Sequence, residues 1–220
     1  MIQKNNVTSL SSYEKTSYKN PLPQKPILCD LPMPIVTPRL TMRPLMPGDG
    51  YALACAINDT VPQLVEWMPW APQDGMATID DCEETARRFY ADFIVRNTVH
   101  LAIFHENIFV GMVGLGLIDW LIPSAEIGYW CRSGYQGKGI VSEAANALTR
   151  YAFEVIKVRR LVITCDNENE KSFAVAERLK FNLALISPGV AKKPNCDQLR
   201  LGRMYVRFNT DGLPPLDVSW

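Results

Sequence analysis

Residues 125–143 read AEIGYWCRSGYQGKGIVSE, and the fold turns on how this stretch divides. Residues 124–131, SAEIGYWC, form a strand-like run. Residues 139–156 place Ile140, Ala144, Leu148, Tyr151 and Val155 along one face of a long helix. Between them lies a glycine-rich turn, Gln136-Gly137-Lys138-Gly139-Ile140-Val141. Glycine lets a backbone approach a phosphate closely, and a helix start offers unpaired N–H groups at its positive dipole end. A pyrophosphate can sit in such a corner without a metal ion. Many strand–helix joints carry two glycines, so the turn alone is weak evidence. It is not a Walker loop, since G-x-x-x-x-G-K-S/T does not occur, and it is not G-x-G-x-x-G.

Toward the N-terminus, VHLAIF (99–104) and IFVGMVGLGL (108–117) read as a hairpin turning at His105-Glu106-Asn107. Residues 78–96 open with Thr78 and acidic residues and repeat Ala86, Phe89, Tyr90, Phe93 and Ile94 at helical spacing. Trp67-Met68-Pro69-Trp70 reads as an aromatic knot in a loop, and 49–59 as a short helix. Residues 35–45, IVTPRLTMRPL, suit an edge strand interrupted by prolines. Toward the C-terminus come a buried strand at 160–165, a helix at 169–179 and a closing strand at 198–208. In that last strand the apolar parity changes between Leu199 and Leu201 on one side and Met204, Val206 and Phe208 on the other, which predicts a β-bulge at Gly202. Hairpins followed by strand–helix–strand specify an α/β (α+β) chain, a mixed sheet with helices on its faces.

Residues 1–34 are rich in Ser, Thr, Asn, Lys and Pro and read as a poorly structured tail draped on a domain spanning 35–210, with 211–220 as a short C-terminal tail. Lys plus Arg and Asp plus Glu are both 23, so no global field exists to hold nucleic acid or an anionic membrane. The six cysteines are never closer than 26 residues and have no neighbouring histidine, which argues against a metal site and for reduced thiols. No apolar leader and no run of about 18 apolar residues occurs, so a soluble cytoplasmic protein is expected.

The segment Ala125–Glu143 resembles motif A of the GNAT superfamily of N-acetyltransferases, whose phosphate turn is Q/R-x-x-G-x-G/A. The resemblance is to the RimJ/RimL branch, the ribosomal-protein N-terminal acetyltransferases. TPRLTMRPL (37–45), RRLVITC (159–165) and N-x-x-S-x-x-V-A-x-x-L-x-F (Asn169 through Phe181) follow the family order. The resemblance implies a GNAT fold, with a mostly antiparallel sheet of about seven strands. It also implies acetyl-CoA as acetyl donor, direct transfer to an amine, and no metal.

By that resemblance, Gln136, Gly137, Lys138, Gly139, Ile140, Val141 and Ser142 hold the coenzyme pyrophosphate. Tyr129, Trp130 and Cys131 splay from the next strand and pair with the pantetheine arm, as an added strand pairs with a sheet edge. The Trp130 N–H polarises the thioester carbonyl. Asn169 bonds the pantetheine amide, or serves as a helix N-cap, or both. Glu126 stands where histone-acetylating relatives carry a glutamate base; its plainer role is in a structural hydrogen-bond network. Ser172 matches a serine serving the departing thiolate, or is a polar residue of a first helical turn. Cys131 as a nucleophile is disfavoured, since no histidine lies near it. Trp67 and Trp70 line the acceptor cleft or pack in the core.

Several positions depart from the family pattern. Val141 ends the phosphate turn, Ala176 stands where many relatives carry a tyrosine acid, and Lys180 replaces a frequent glycine. Beyond Phe181 the match is poor, so the donor site transfers better than the acceptor site. A protein or peptide N-terminal α-amine is the leading acceptor, and the enzyme is expected as a monomer or homodimer. A small-molecule amine is the rival acceptor within enzymes, and a non-catalytic acyl-CoA-binding module is the rival outside them.

Overall fold

The computed structural model describes residues 25–72, 75–190 and 200–220. Most of the expected N-terminal tail, Cys196 and the start of the expected closing strand lie outside the described residues.

After a 3-10 turn at Pro26–Leu28 come two short strands, β1 (Ile35–Val36) and β2 (Leu40–Pro44), followed by α1 (Gly50–Asn58), α2 (Val61–Trp67) and α3 (Ile79–Val95). A hairpin of β3 (Val99–His105) and β4 (Ile108–Asp119) leads into β5 (Ser124–Cys131) and α4 (Ile140–Tyr151). β6 (Arg160–Asp166), α5 (Glu170–Arg178), β7 (Asn182–Pro188) and β8 (Leu201–Arg207) complete it. The order in the single sheet is β1-β2-β3-β4-β5-β6-β8-β7. All the pairings are antiparallel except β5–β6.

Helices cover the two faces from opposite sides. α4 buries Ile140, Ala144, Ala145, Leu148 and Tyr151 against the centre of the sheet, where Val113, Leu115, Ala125 and Ile127 also pack. Its small alanines let the helix axis approach the strands closely. On the other face, Leu53, Ala56 and Ile57 of α1 and Cys82 and Ala86 of α3 pack over Ala102, Phe109, Met112 and Trp130. Thr78 caps α3 by accepting from Asp81 N–H at 3.1 Å, as the sequence predicts.

The feature that positions the site is a break in the sheet. The parallel pairing of β5 with β6 covers Ser124–Glu126 against Arg160–Val162. β6 then continues alongside β8 to Asp166, while β5 continues alongside β4 to Cys131. The two strands diverge into a wedge from Glu126 onward.

Two expectations are corrected, and one strand is added. Trp67 closes a helix, because Pro62 in the first turn suits a helix start and Leu64 supplies its buried contact. Asn182–Pro188 forms an added edge strand. The bulge lies in that strand, between Leu183 and Leu185, while β8 keeps its register with β6 through Gly202. The parity of β8 misleads because Arg207 is buried, its guanidinium donating to the carbonyls of Leu179, Lys180 and Asn209 in place of an apolar contact.

Residues 25–34 also pack on the domain: the Cys29 carbonyl accepts from Arg96, and the Pro32 carbonyl from the Tyr151 hydroxyl. At the other end Ser219 bridges to Val36, and Trp220 stacks edge-on with Tyr151.

Candidate active site

The turn between β5 and α4 is built for an anion. Gly137 and Gly139 adopt φ of +73° and +78°, conformations that favour glycine. Gly139 is the N-cap of α4 and no side chain caps the helix, so its first N–H groups remain available. Gly137, Lys138 and Gly139 are all exposed, and the corner is open. The Gln136 amide donates to the Cys131 carbonyl at 3.1 Å and closes the end of β5. Ser142 accepts from Arg178 at 2.6 Å, and Lys171 approaches Gln136 at 3.5 Å. Together with Lys138, these side chains place positive charge around the helix start.

Arg39 is a member of this site that sequence reasoning did not single out. Its Nη1 donates to the Lys138 carbonyl at 3.0 Å, and its Nε to Glu143 at 2.6 Å. Glu143 also accepts from the Thr37 hydroxyl at 2.6 Å. The turn is thus held by TPRL, a stretch about a hundred positions away along the chain.

The wedge supplies the next part. Residues opposite each other in an antiparallel pair alternate between bonded and non-bonded pairs. Arg132 donates to Val110 at 2.8 Å, and the register pairs Met112 with Trp130 two residues on. The Trp130 N–H therefore points to β4. Ile127 still gives its N–H to β6, closing the bridge of Glu126 with Val162, and beyond it Tyr129 and Cys131 turn their N–H groups into the wedge, in keeping with the Cys131 carbonyl that meets Gln136 there. This corrects the role that the resemblance implies for the Trp130 N–H. The Trp130 side chain is buried, 6.1 Å from the ring of Trp70 and 6.2 Å from that of Phe109.

Glu126 sits where the wedge opens and receives a hydrogen bond from the Thr164 hydroxyl of β6. Across the wedge, Asn169 caps α5 by accepting from Ser172 N–H at 3.1 Å. The Tyr129 hydroxyl donates to the Ser172 carbonyl at 2.9 Å and lies 3.4 Å from its Oγ. This bond ties the first turn of α5 to β5, and the strand supplies a tyrosine close to Ser172 although position 176 is alanine. Burial holds the Tyr129 phenol well above its ordinary pKa.

A cavity of about 710 Å³ opens beside Glu126 at the wedge. Glu126, Tyr129, Thr164 and Ser172 line it on the wedge side, and Trp70, Met76, Asp81, Arg88, Phe89 and His100 on the side of α3. Trp67, at the end of α2, stands outside this lining. His100 was also missed by sequence reasoning. Its ring stacks on Phe89 at 4.0 Å between centroids, and burial lowers its pKa, so it is neutral at pH 7. A histidine within an apolar strand gives no local signal of the cavity above it.

The arrangement offers an anion corner, a strip of backbone donors and a carboxylate at one junction. These are the parts needed to hold a phosphorylated thioester beside an amine, and the residues present fit coenzyme A. Residues 39–182 match the family described as acetyltransferase (GNAT) domain. The chain belongs to the GNAT family of N-acetyltransferases. It is 35% identical over 150 residues to the "Putative ribosomal N-acetyltransferase YdaF" of Bacillus subtilis (strain 168), covering 66% of this chain and 79% of that protein. It is 31% identical over 135 residues to the ribosomal-protein-serine acetyltransferase of Escherichia coli (strain K12), covering 60% and 72%. Among solved structures, the microcin C7 self-immunity acetyltransferase MccE in complex with acetyl-CoA and AMP superposes with a TM-score of 0.71 at 26% identity, covering 78% of this chain and 93% of that one. This GNAT chain is thus an acetyl-CoA-dependent acyltransferase of the RimJ/RimL branch. Among the described residues, no helix is long and apolar enough to cross a membrane.

The surroundings of Cys131 disfavour it as a nucleophile. Burial pushes its thiol up to about 11, against a weaker opposing pull from Lys138. Cys131→Ala is expected to keep turnover within about twofold of the parent, measured as thiol release from acetyl-CoA.

Proposed function

We propose that this enzyme acetylates the α-amino group at a polypeptide N-terminus. Glu126 takes the proton of the attacking amine, directly or through one water. Ser172 donates a hydrogen bond to the departing thiolate, which leaves and takes its proton from solvent. The N–H groups of Tyr129 and Cys131 hold the thioester arm along β5 and polarise its carbonyl, and Asn169 keeps an amide nitrogen free for the pantetheine. Residues 136–142 grip the pyrophosphate, with Arg39 holding the turn.

The shape of the cavity carries this reading. From Glu126 it leads out to a rim where Trp70, Met76 and Leu117 are 51%, 71% and 79% exposed. A polyamine or aminoglycoside calls for a closed pocket rich in acids. Among the described residues, the acidic ones in the lining are Asp81 and Glu126, and Arg88 opposes them. A free α-amine ordinarily titrates at about pH 7.7–8.0, so it needs only a modest base near neutrality. Two of the curated relatives, named "Putative ribosomal N-acetyltransferase YdaF" and "Ribosomal-protein-serine acetyltransferase", support the same acceptor.

Thiol release measured against tetrapeptides, spermidine and an aminoglycoside tests the proposal. The expected kcat/KM for the best peptide exceeds that for spermidine by at least about tenfold. The reverse order would move the enzyme to small amines.

A further inference from the structure

Between Glu126 and the wall formed by His100, the sheet is bare. In the register of β4 and β5, Gly114 faces Gly128 and Gly116 faces Glu126, and all four residues line the cavity. Gly114 is explained by packing: a Cβ there would lie 2.7 Å from His100 Nδ1, so the imidazole occupies its side-chain space. Gly116 and Gly128 have no such explanation. A Cβ at either would meet no atom within 4 Å, and neither adopts a positive φ. Gly128 is exposed although its strand runs through the middle of an eight-stranded sheet. Glycine in a strand interior weakens it, and where neither conformation nor packing requires it, the vacant space points to a ligand that approaches the backbone.

We propose that Gly116 and Gly128 form a floor on which the acceptor's own main chain lies extended, beyond its reacting amine. This rests on the reading of the acceptor as a polypeptide N-terminus and adds a binding subsite for the residues that follow the first. Gly128 lies two positions from Glu126, about 6.6 Å along the strand, which is the span of two extended peptide units. A chain anchored by its amine at Glu126 covers the floor with its second and third residues. Side chains would clash with a flat peptide there, whereas hydrogens do not. Leaving the floor, the acceptor meets Trp70, Met76 and Leu117, so apolar side chains after the first residue suit the rim.

The test is Gly128→Val, with Gly128→Ala and Gly116→Ala as milder variants. Each is assayed with glycinamide, which has no chain beyond its first residue, and with a tetrapeptide. The expected result for Gly128→Val is at least a tenfold lower kcat/KM for the tetrapeptide. Glycinamide turnover and the calorimetric Kd for coenzyme A stay within twofold, and the melting temperature rises by about 2 °C as a floppy position is removed from a strand. Unimpaired tetrapeptide turnover in the variants would overturn the floor alone. Equal losses on both acceptors, or weakened coenzyme binding, would also overturn it, by assigning the strip to the thioester. A parent enzyme that acetylates neither acceptor would overturn the polypeptide reading together with the floor.

Discussion

Glu126→Gln lowers kcat about a hundredfold with a peptide acceptor and leaves the Kd for coenzyme A within about twofold. Glutamine has the same shape and still accepts the hydrogen bond from the Thr164 hydroxyl, so the junction of β5 and β6 keeps its geometry. What is lost is the ability to take a proton. Glu126 lies outside the phosphate corner and contributes nothing to its grip, so binding and turnover separate in this variant. Single-turnover acetylation and titration calorimetry on the same preparation measure the two effects. Full activity in Glu126→Gln would move proton removal elsewhere in the cavity, with the neutral His100 the first alternative. Loss of coenzyme binding would instead make Glu126 a structural link between the strands.

The second large effect is expected at Gly139. Its φ of +78° is costly for a β-branched residue, and a Cβ would also come within 3.4 Å of Arg39 Nη2. Gly139→Val therefore re-forms the turn and disturbs the Arg39 bond to the Lys138 carbonyl. Hydrogen bonds to a charged group are worth about 1.5–3 kcal/mol each, so two lost phosphate contacts weaken coenzyme affinity about a hundredfold or more. Calorimetry reads the loss directly. A melting temperature within a few degrees of the parent separates a local change from unfolding. Undiminished affinity would place the pyrophosphate elsewhere.

The donor half of the site was legible because its chemistry is written in consecutive residues. The strand Ala125–Cys131, the turn Gln136–Val141 and the helix after it are one continuous stretch, and its backbone makes the corner. Glu126, Asn169 and Ser172 were singled out by the family resemblance, which ties each to a motif position. The acceptor half is assembled from separated pieces. His100 lies on β3, Asp81 and Arg88 on α3, and Trp70 beyond α2; only tertiary packing brings them to one cavity. Trp67 shows the limit, since an aromatic three positions from Trp70 falls outside the lining once α2 extends to include it. The Trp130 N–H shows another. Which backbone groups face the wedge depends on register, and register was fixed by a pairing between β4 and β5 that no motif encodes. Arg39 was quoted within the family stretch, but its reach to the turn depends on how β2 and α4 meet.

The wedge has a consequence for solubility and for motion. Unpaired strand edges invite other chains to dock and aggregate. Here the open edge of β5 lies inside the sheet, and β6 converges on it at Glu126 and Val162. A slender arm can slide between the two strands, but a strand carrying its own sheet cannot. The molecule thus keeps a recognition edge without presenting it to its neighbours. An occupant also stitches together the halves on either side, β1–β5 and β6–β8. Amide hydrogens of Tyr129 and Cys131 should then exchange slowly with solvent only while the arm is in place.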